Sequence, residues 1–249
     1  RKQQGKVSHW LLDIKKPNQN YTVAEYKNDA VKKINQILKR NKLPILVGGT
    51  GLYIKAVAEN LDIPKVEANT LLRKKIEKEI EKYGLDYAFK KLIKLDPESA
   101  YIVDPKNPRR IIRALEVTLL TKKPFSEQRK PGNPIFDVSE IGISVPKKEL
   151  QKRINERVDE IIKNGLAKEV KSLIKKYGAD QQAFDAIGYR EIIEYLNKKI
   201  TLQEAAEKIK INTWHYAKRQ MTWFKKDKKI HWVKNHQEAS RLIDNFIIK

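Results

Sequence analysis

The segment at residues 43–55, Leu-Pro-Ile-Leu-Val-Gly-Gly-Thr-Gly-Leu-Tyr-Ile-Lys, decides how the surrounding chain is interpreted. A short apolar run at 45–47 stops at the glycine-rich turn 48–51, after which apolar residues resume at helical spacing. This order predicts a strand, a tight turn and a helix. Glycines let backbone amides approach a ligand, and the unpaired amides of the following helix favour an anion such as phosphate. A phosphate site and a plain strand-to-helix connection both remain open on these residues alone.

The residues before this segment predict another strand and another helix. Residues 7–14 form an apolar, strand-like run, and a turn follows at 17–20. Thr22, with Glu25 three residues later, predicts a capped helix start, and helical spacing continues to Lys42. Two successive strand–turn–helix units predict a parallel sheet with crossover helices.

After Leu61 the sequence changes to charged segments with helical spacing, interrupted at Tyr83-Gly84 and by proline-containing turns. A basic stretch rich in Pro and Gly at 122–134 predicts a loop, and a strand at 138–145 returns the chain to the sheet. Helices follow from Lys147, then a strand at 230–233 and a final helix. We therefore predict an α/β fold with a core formed by residues 1–61 and 135–249, and a mainly helical insertion at 62–134.

The composition predicts a polyanionic partner. Lys and Arg number 53 against 31 Asp and Glu, and the resulting net charge of +22 is spread along the chain. Such an excess favours nucleic acid over a membrane surface, although a composition that simply favours lysine is the alternative. No bilayer-spanning stretch or secretion signal is visible, so we expect a cytoplasmic protein. With no cysteine and four histidines that lack ligand spacing, no residue is assigned to a metal.

Two groups of arginines stand out on predicted helices. Arg109, Arg110 and Arg113 lie within five residues, and the i, i+4 rule places the first and last on one face. Three guanidinium groups so close together predict a phosphate clamp, whereas the alternative is a solvated face on which Glu116 pairs with Arg113. Arg153 and Arg157 repeat the i, i+4 spacing near the start of the helix predicted from Lys147.

Several segments together resemble one family, the tRNA dimethylallyltransferases. The matching segments follow the family order and cover nearly the whole chain. They are His9-x-Leu11-x-Asp13-Ile14, the run from Leu46 to Tyr53, Asp104-Pro105-x-Asn107-Pro108-Arg109-Arg110-x-x-Arg113-Ala114-Leu115-Glu116, Leu150-x-x-Arg153-Ile154-x-x-Arg157-Val158-Asp159, Gly165-Leu166-x-x-Glu169-Val170, Ala186-Ile187-Gly188-Tyr189-Arg190-Glu191 and Tyr216-Ala217-Lys218-Arg219-Gln220-x-Thr222-Trp223-Phe224.

The resemblance implies a P-loop-kinase-like, nucleotide-binding core of the ATP-binding type with a helical insertion that contacts tRNA. It also implies transfer of a dimethylallyl group from dimethylallyl diphosphate to N6 of an adenine next to the anticodon, assisted by Mg²⁺. The implied partners are the anticodon arm of tRNA and dimethylallyl diphosphate, with no membrane, and a monomer is expected.

Roles for individual residues are likewise implied by the resemblance. Arg157 is the catalytic arginine at the diphosphate, and Thr50 is a catalytic position beside the tunnel where the adenine meets the donor. Arg153, Gly48 and Gly49 are expected at the diphosphate. The residues expected to contact tRNA are Arg73, Arg109, Arg110, Arg113, Asp185, Gly188, Tyr189, Arg190, Lys218, Arg219 and Gln220.

The sequence departs from the family pattern in two places. The P-loop, Gly-x-Thr-x-Ser-Gly-Lys-Thr, and the Asp-Ser segment that supplies the general base do not occur in residues 1–249. The ligands of Mg²⁺ are expected in these missing segments. A truncated sequence and a true loss both remain open, and we expect residues 1–249 alone to form no N6 product. Trp214-His215 also stands where the family more often has basic residues. The alternative functions are a non-catalytic tRNA-binding remnant and a P-loop kinase of small molecules.

Overall fold

The chain folds mainly into helices, in a computed structural model that describes residues 7–64, 66–129 and 131–248. The elements are α1 (Val23–Leu38), α2 (Gly51–Ala58), α3 (Thr70–Tyr83), α4 (Leu85–Leu95), α5 (Ser99–Ile102), α6 (Pro108–Thr121), a 3-10 helix (Ser126–Arg129), β1 (Ile141–Ile143), α7 (Lys147–Lys163), α8 (Leu166–Tyr177), a second 3-10 helix (Gln182–Asp185), α9 (Tyr189–Leu196), α10 (Leu202–Phe224), β2 (His231–Val233) and α11 (His236–Ile247). None of the helices in the described ranges has the length and apolar composition needed to cross a lipid bilayer.

Local capping signals in the sequence determine where several helices begin. Thr22 and Glu25 form the predicted capping box, in which the Thr22 Oγ1 accepts from the Glu25 N–H at 3.2 Å and the Glu25 carboxylate accepts from the Thr22 N–H at 2.8 Å. Thr201 and Glu204 repeat this arrangement at α10. Helix α1 ends at Leu38, earlier than the predicted Lys42, because the chain turns there and Asn41 adopts a φ of +54°.

The strands predicted at 7–14 and 45–47 are wrong. Leu11 and Asp13 have φ values of +62° and +53°, which interrupt an extended conformation. Residues 45–47 belong to no sheet, and Ile45 and Val47 are 70% and 87% exposed. An apolar run becomes a strand only when a neighbour accepts its backbone hydrogen bonds, and no described residue does so here.

A small parallel sheet joins β1 to β2. Ile141, Gly142 and Ile143 pair in register with His231, Trp232 and Val233. Both strands lie within the predicted ranges 138–145 and 230–233 but are shorter. Helices α7–α10 connect them, which is the crossover that a parallel pair requires. The predicted α/β class with a parallel sheet and flanking helices is confirmed.

The described chain divides into two compact units. The helical unit comprises Thr22–Leu46 and the described residues of Leu52–Asp137. In it, α3, α4 and α6 pack around a core that includes Ile76, Leu92 and Leu115. The predicted insertion boundaries at 62 and 134 remain predictions of domain organisation, and the helical unit also takes in α1 and most of α2.

The groove unit comprises the described residues before Thr22, the turn Val47–Gly51 and the described residues from Val138 onward. Helices α7, α8, α9 and α10 pack around a second core. Its fully or nearly fully buried members include Ile154, Val158, Val170, Ile192 and Ile209. This helical layer carries the candidate site.

The buried charged residues in the described part of the chain are all acidic: Asp96, Glu116 and Glu191. Asp96 accepts from the hydroxyls of Ser99 at 2.6 Å and Ser126 at 2.7 Å. A carboxylate is buried at low cost only when hydrogen bonds replace its water, so each of these side chains joins separate segments of its unit.

Candidate active site

An open groove of about 790 Å³ lies on the surface of the groove unit. Its floor is apolar, whereas arginines and other polar side chains stand around it. Helix α7, the end of the 3-10 helix before α9 with the turn that follows it, and the middle of α10 supply the lining residues. These are Arg153, Ile154, Arg157, Val158, Ile161, Asp185, Ala186, Ile187, Ile209, Thr213, Tyr216 and Arg219.

Helix α7 places two predicted site residues in the groove. Arg153 and Arg157 lie one turn apart, so both guanidinium groups face the same side while Ile154 and Val158 enter the core. Arg153 pairs with Glu149, and Arg157 Nη1 donates to Glu160 Oε2 at 2.8 Å. Both arginine side chains remain about 60% exposed. Exposed pairs of this kind are weak, so an incoming anion can replace the carboxylates.

A turn ahead of α9 forms the next wall of the groove. Asp185, Ala186 and Ile187 line it and lead into Gly188, whose φ of +99° and ψ of −48° suit glycine and strain a residue with a side chain. The Gly188 N–H donates to the buried Glu191 carboxylate at 2.7 Å. Sequence reasoning assigned no role to Glu191, although its spacing from Gly188 is that of a capping box.

Helix α10 forms the remaining wall with one continuous stripe of side chains. Ile209, Thr213 and Tyr216 line the groove at i, i+4 and i+7. Arg219 also lines it, with its Cζ 5.8 Å from the centre of the Tyr216 ring. The same stripe continues to Gln220 and Trp223 in the last turns of the helix.

The Gly48–Gly51 turn, written in full as Gly48-Gly49-Thr50-Gly51, rests on this continuation of α10. The Gln220 Nε2 donates to the Gly49 carbonyl oxygen at 3.0 Å, which joins two predicted site residues 171 positions apart. Trp223 packs against Gly51 so closely that a Cβ there would lie 2.1 Å from the indole Nε1. Thr50 and Gly48 are exposed and do not line the groove.

Replacing Gly51 with alanine is expected to push Trp223 away and to weaken this contact. Because Trp223 is 40% exposed and can move, we expect a loss of about 1 kcal/mol in the free energy of unfolding, at the low end for overpacking. Urea unfolding followed by tryptophan fluorescence measures both effects. Gly48→Ala is the matched control, because no atom lies within 4 Å of the position that its methyl group would take. Equal effects of the two substitutions would contradict the packing described here.

The other predicted tRNA contacts of the groove unit lie beside the groove. Arg190 lines a second cavity of about 410 Å³, together with Asp180, Glu194 and Lys199. The Tyr189 hydroxyl donates to Glu169; burial, followed by this bond, raises the pKa of Tyr189 to about 12. Lys218 is exposed, with its Nζ 6.0 Å from the centre of the Trp214 ring.

Two arginines of the helical unit, Arg73 and Arg113, contact Glu116. Arg73 Nε donates to Glu116 Oε1 at 2.8 Å, and Arg113 Nη1 donates to Oε2 at 2.6 Å. The Glu116 side chain is fully buried, while those of Arg73 and Arg113 are 38% and 33% exposed. The structure thus favours the alternative interpretation, in which Arg113 pairs with Glu116, over a phosphate clamp formed by three guanidinium groups. Arg109 and Arg110 lie in the first turn of α6 and are exposed.

The described residues offer no group of three or more His, Asp or Glu side chains that could hold a metal ion. Sequence reasoning also gave no role to Thr213, which lines the groove, or to Asn212, which donates to Glu191, because such positions on a helix cannot be recognised without the neighbouring elements. Four predicted residues do meet in one place: Arg153, Arg157, Asp185 and Arg219.

Comparison with known proteins assigns the chain to a family. The IPP transferase family model matches residues 1–227. The tRNA dimethylallyltransferases of Caldanaerobacter subterraneus subsp. tengcongensis and Halothermothrix orenii are 44% and 41% identical, across 96% and 99% of this chain and 78% and 79% of their own lengths. The crystal structure of the full-length tRNA isopentenylpyrophosphate transferase of Bacillus halodurans superimposes with a TM-score of 0.68 at 35% identity, over 99% of this chain and 79% of that one. The predicted family is confirmed: the chain belongs to the IPP transferase family, that of the tRNA dimethylallyltransferases.

Proposed function

We propose that the protein transfers a dimethylallyl group from dimethylallyl diphosphate to N6 of an adenine next to the anticodon of tRNA. The observation that carries this proposal is the groove, where three arginines stand over an apolar floor. A short prenyl chain matches the apolar residues, and a diphosphate matches the guanidinium groups. The relatives named above are tRNA-modifying prenyltransferases, which supports the same reaction.

The chemistry requires charge stabilisation more than covalent assistance from the protein. The N6 nitrogen attacks the allylic carbon, a C–N bond forms as the C–O bond breaks, and the electron pair of the broken bond leaves with the diphosphate. The N6 proton goes to a general base, the role that the family gives to its Asp-Ser segment. Arg157 is proposed to donate to the departing oxygens, with Arg153 a turn before it. Guanidinium groups aimed at charge that develops in the transition state lower its energy more than that of the bound substrates.

On the acceptor side, we propose that the Gly48–Gly51 turn meets the adenine and that basic residues hold the RNA. Thr50 is exposed on a turn fixed by Gln220 and Trp223, a suitable position to meet an adenine. An adenine must leave its base stack to react, so the RNA on either side of it must be held. We propose that Asp185, Arg219 and the other residues expected to contact tRNA hold the RNA on either side of the adenine. Magnesium and nucleotide binding remain predictions of the family, and no step is assigned to the ion.

The proposal is tested by a transfer assay on the protein expressed from its complete natural gene. Radiolabelled dimethylallyl diphosphate and unmodified tRNA should yield labelled N6-dimethylallyl adenine next to the anticodon. Retention of tRNA without any labelled product would favour the non-catalytic tRNA-binding alternative. Phosphorylation of a small molecule, with no affinity for tRNA, would favour a kinase. The predicted cytoplasmic location and monomeric state belong to this proposal.

Binding of tRNA is expected to weaken steeply with salt, because the net charge of +22 is carried by surface lysines and arginines. Each phosphate contact releases counterions, so three or more contacts predict a loss of affinity of roughly 10- to 100-fold between about 50 and 200 mM salt. Filter binding with an anticodon stem-loop measures the slope. Arg110→Ala should lower that slope by about one, because the exposed Arg110 is proposed to contact a phosphate. An affinity independent of salt would contradict a phosphate-based interface.

A further inference from the structure

A buried carboxylate joins two walls of the groove without lining the groove itself. Glu191 is 1% exposed and lies in the first turn of α9. Its Oε2 accepts from the Gly188 N–H at 2.7 Å, directly after the wall segment 185–187. Its Oε1 accepts from the Asn212 Nδ2 at 2.7 Å, and Asn212 precedes the groove residue Thr213 on α10.

The groups around Glu191 show which of its two carboxylate oxygens accepts each hydrogen bond. Arg190 Nη2 lies 3.4 Å from Glu191 Oε1 on the exposed side, whereas Asn212 faces the carboxylate from α10. Glu169 on α8 accepts a hydrogen bond from the Tyr189 hydroxyl. A carboxylate offers acceptors only, so both the Gly188 N–H and the Asn212 amide are satisfied while Glu191 is ionised.

We propose that Glu191 and Asn212 form a positioning pair that holds the wall segment 185–187 against α10 and thereby fixes the shape of the groove. The role in turnover rests on the proposed function, but the positioning itself does not. Gly188 is central to this arrangement, because its backbone conformation turns the chain from the wall into α9 and its N–H points at the carboxylate. Glu191 and Asn212 contact no reacting atom and act through Asp185, Ile187 and Thr213.

Exchanging the two functional groups provides the sharpest test. Asn212→Asp places a second carboxylate at 2.7 Å from Glu191, and two ionised carboxylates cannot remain in contact. We expect kcat to fall about 10- to 100-fold with a smaller change in KM for tRNA, because displaced groups in a site mainly reduce productive geometry. The double variant Glu191→Gln with Asn212→Asp restores one amide and one carboxylate and should return kcat to within about threefold of the wild type.

Measurements on single variants, and at several pH values, distinguish a positioning role from a general loss of folding. Glu191→Gln alone should be mild, because the Asn212 amide can flip and keep both hydrogen bonds. The activity of Asn212→Asp relative to the wild type should increase as the pH falls from about 8 to about 6, since one shared proton relieves the repulsion. Glu207→Gln, on the exposed side of α10, is the matched control and should behave as the wild type.

Hydrogen exchange tests the proposal without any catalytic readout. In Glu191→Ala the Gly188 amide loses its acceptor, and its exchange should accelerate about tenfold or more, whereas Glu207→Gln should leave it unchanged. Wild-type turnover by Asn212→Asp, or a double variant no better than Asn212→Asp, would overturn the positioning pair. A wild-type protein without transferase activity would instead overturn the proposed function, while accelerated Gly188 exchange would still support the pair.

Discussion

Replacing Arg157 with alanine is expected to lower the turnover number for prenyl transfer by about 10²- to 10³-fold, the usual cost of removing one donor to a developing oxyanion. The affinity for tRNA should change by less than about threefold, because a contact made mainly in the transition state affects kcat and not ground-state binding. Arg157 is about 60% exposed, and its bond to Glu160 is a surface pair. Its removal should therefore leave the fold intact.

The controls for Arg157 lie on the same helix and at the same position. Lys163→Ala removes a cation from the exposed end of α7, outside the groove, and should leave turnover unchanged. Arg157→Lys keeps the charge but not the planar pair of donors, so an intermediate loss is expected. Single-turnover kinetics with saturating tRNA separates chemistry from binding. Equal losses of tRNA affinity and turnover in Arg157→Ala would contradict the assigned role.

Replacing Glu116 with alanine is expected to destabilise the helical unit by about 3 kcal/mol, because removing one partner leaves charges without compensation. The Glu116 carboxylate accepts from Arg73, from Arg113 and from the Asn69 N–H at 2.8 Å. It thus connects α6 to the start of α3. The two guanidinium groups are partly exposed and can regain water, which places the loss near the lower limit for buried pairs.

Urea unfolding of Glu116→Ala, compared with Glu81→Ala, measures this effect. Glu81 lies on α3 and is exposed, so its replacement should change the free energy of unfolding by less than about 0.5 kcal/mol. Glu116→Gln should be intermediate, because its amide keeps one acceptor but presents N–H groups to a guanidinium. If Glu116→Ala and Glu81→Ala unfold alike, the carboxylate does not hold α3 and α6 together.

The same carboxylate also predicts how stability depends on pH. Burial alone would raise the pKa of Glu116, but hydrogen bonds from Arg73 and Arg113 outweigh it and hold the pKa below its ordinary value of 4.5. Its contribution is therefore complete above pH 4.5 and is lost as the pH falls through the lowered pKa. Glu116→Ala should lose less stability on acidification than the wild type does.

Much of the helical architecture could be predicted because its signals are local. The capping boxes at Thr22 and Thr201, and Asn107 followed by Pro108, mark helix starts that depend on neighbouring residues alone. The strands at 7–14 and 45–47 could not be judged in this way, since a strand depends on a partner elsewhere in the chain. Short apolar runs are therefore weak predictors of strands when taken alone.

The candidate site shows the same limit. The i, i+4 spacing correctly placed Arg153 and Arg157 on one helix face, but the approach of Asp185 and Arg219 depends on how three helical elements pack. The spacing of Arg109, Arg110 and Arg113 suggested a clamp, whereas the structure pairs Arg113 with a buried carboxylate. Glu191 received no role from the sequence, because only its bonds to Gly188 and Asn212 in the folded chain relate it to the groove.

The exclusive burial of acidic side chains has a consequence for how the charge of this protein can vary. In the described residues, Asp96, Glu116 and Glu191 are built into the interior, whereas no lysine or arginine is buried. Apart from Arg73 and Arg113, which pair with the buried Glu116, surface lysines and arginines can therefore be gained or lost without disturbing a core. The strength and range of the attraction for RNA can thus change over generations, or be adjusted by design, almost independently of the stability of the fold.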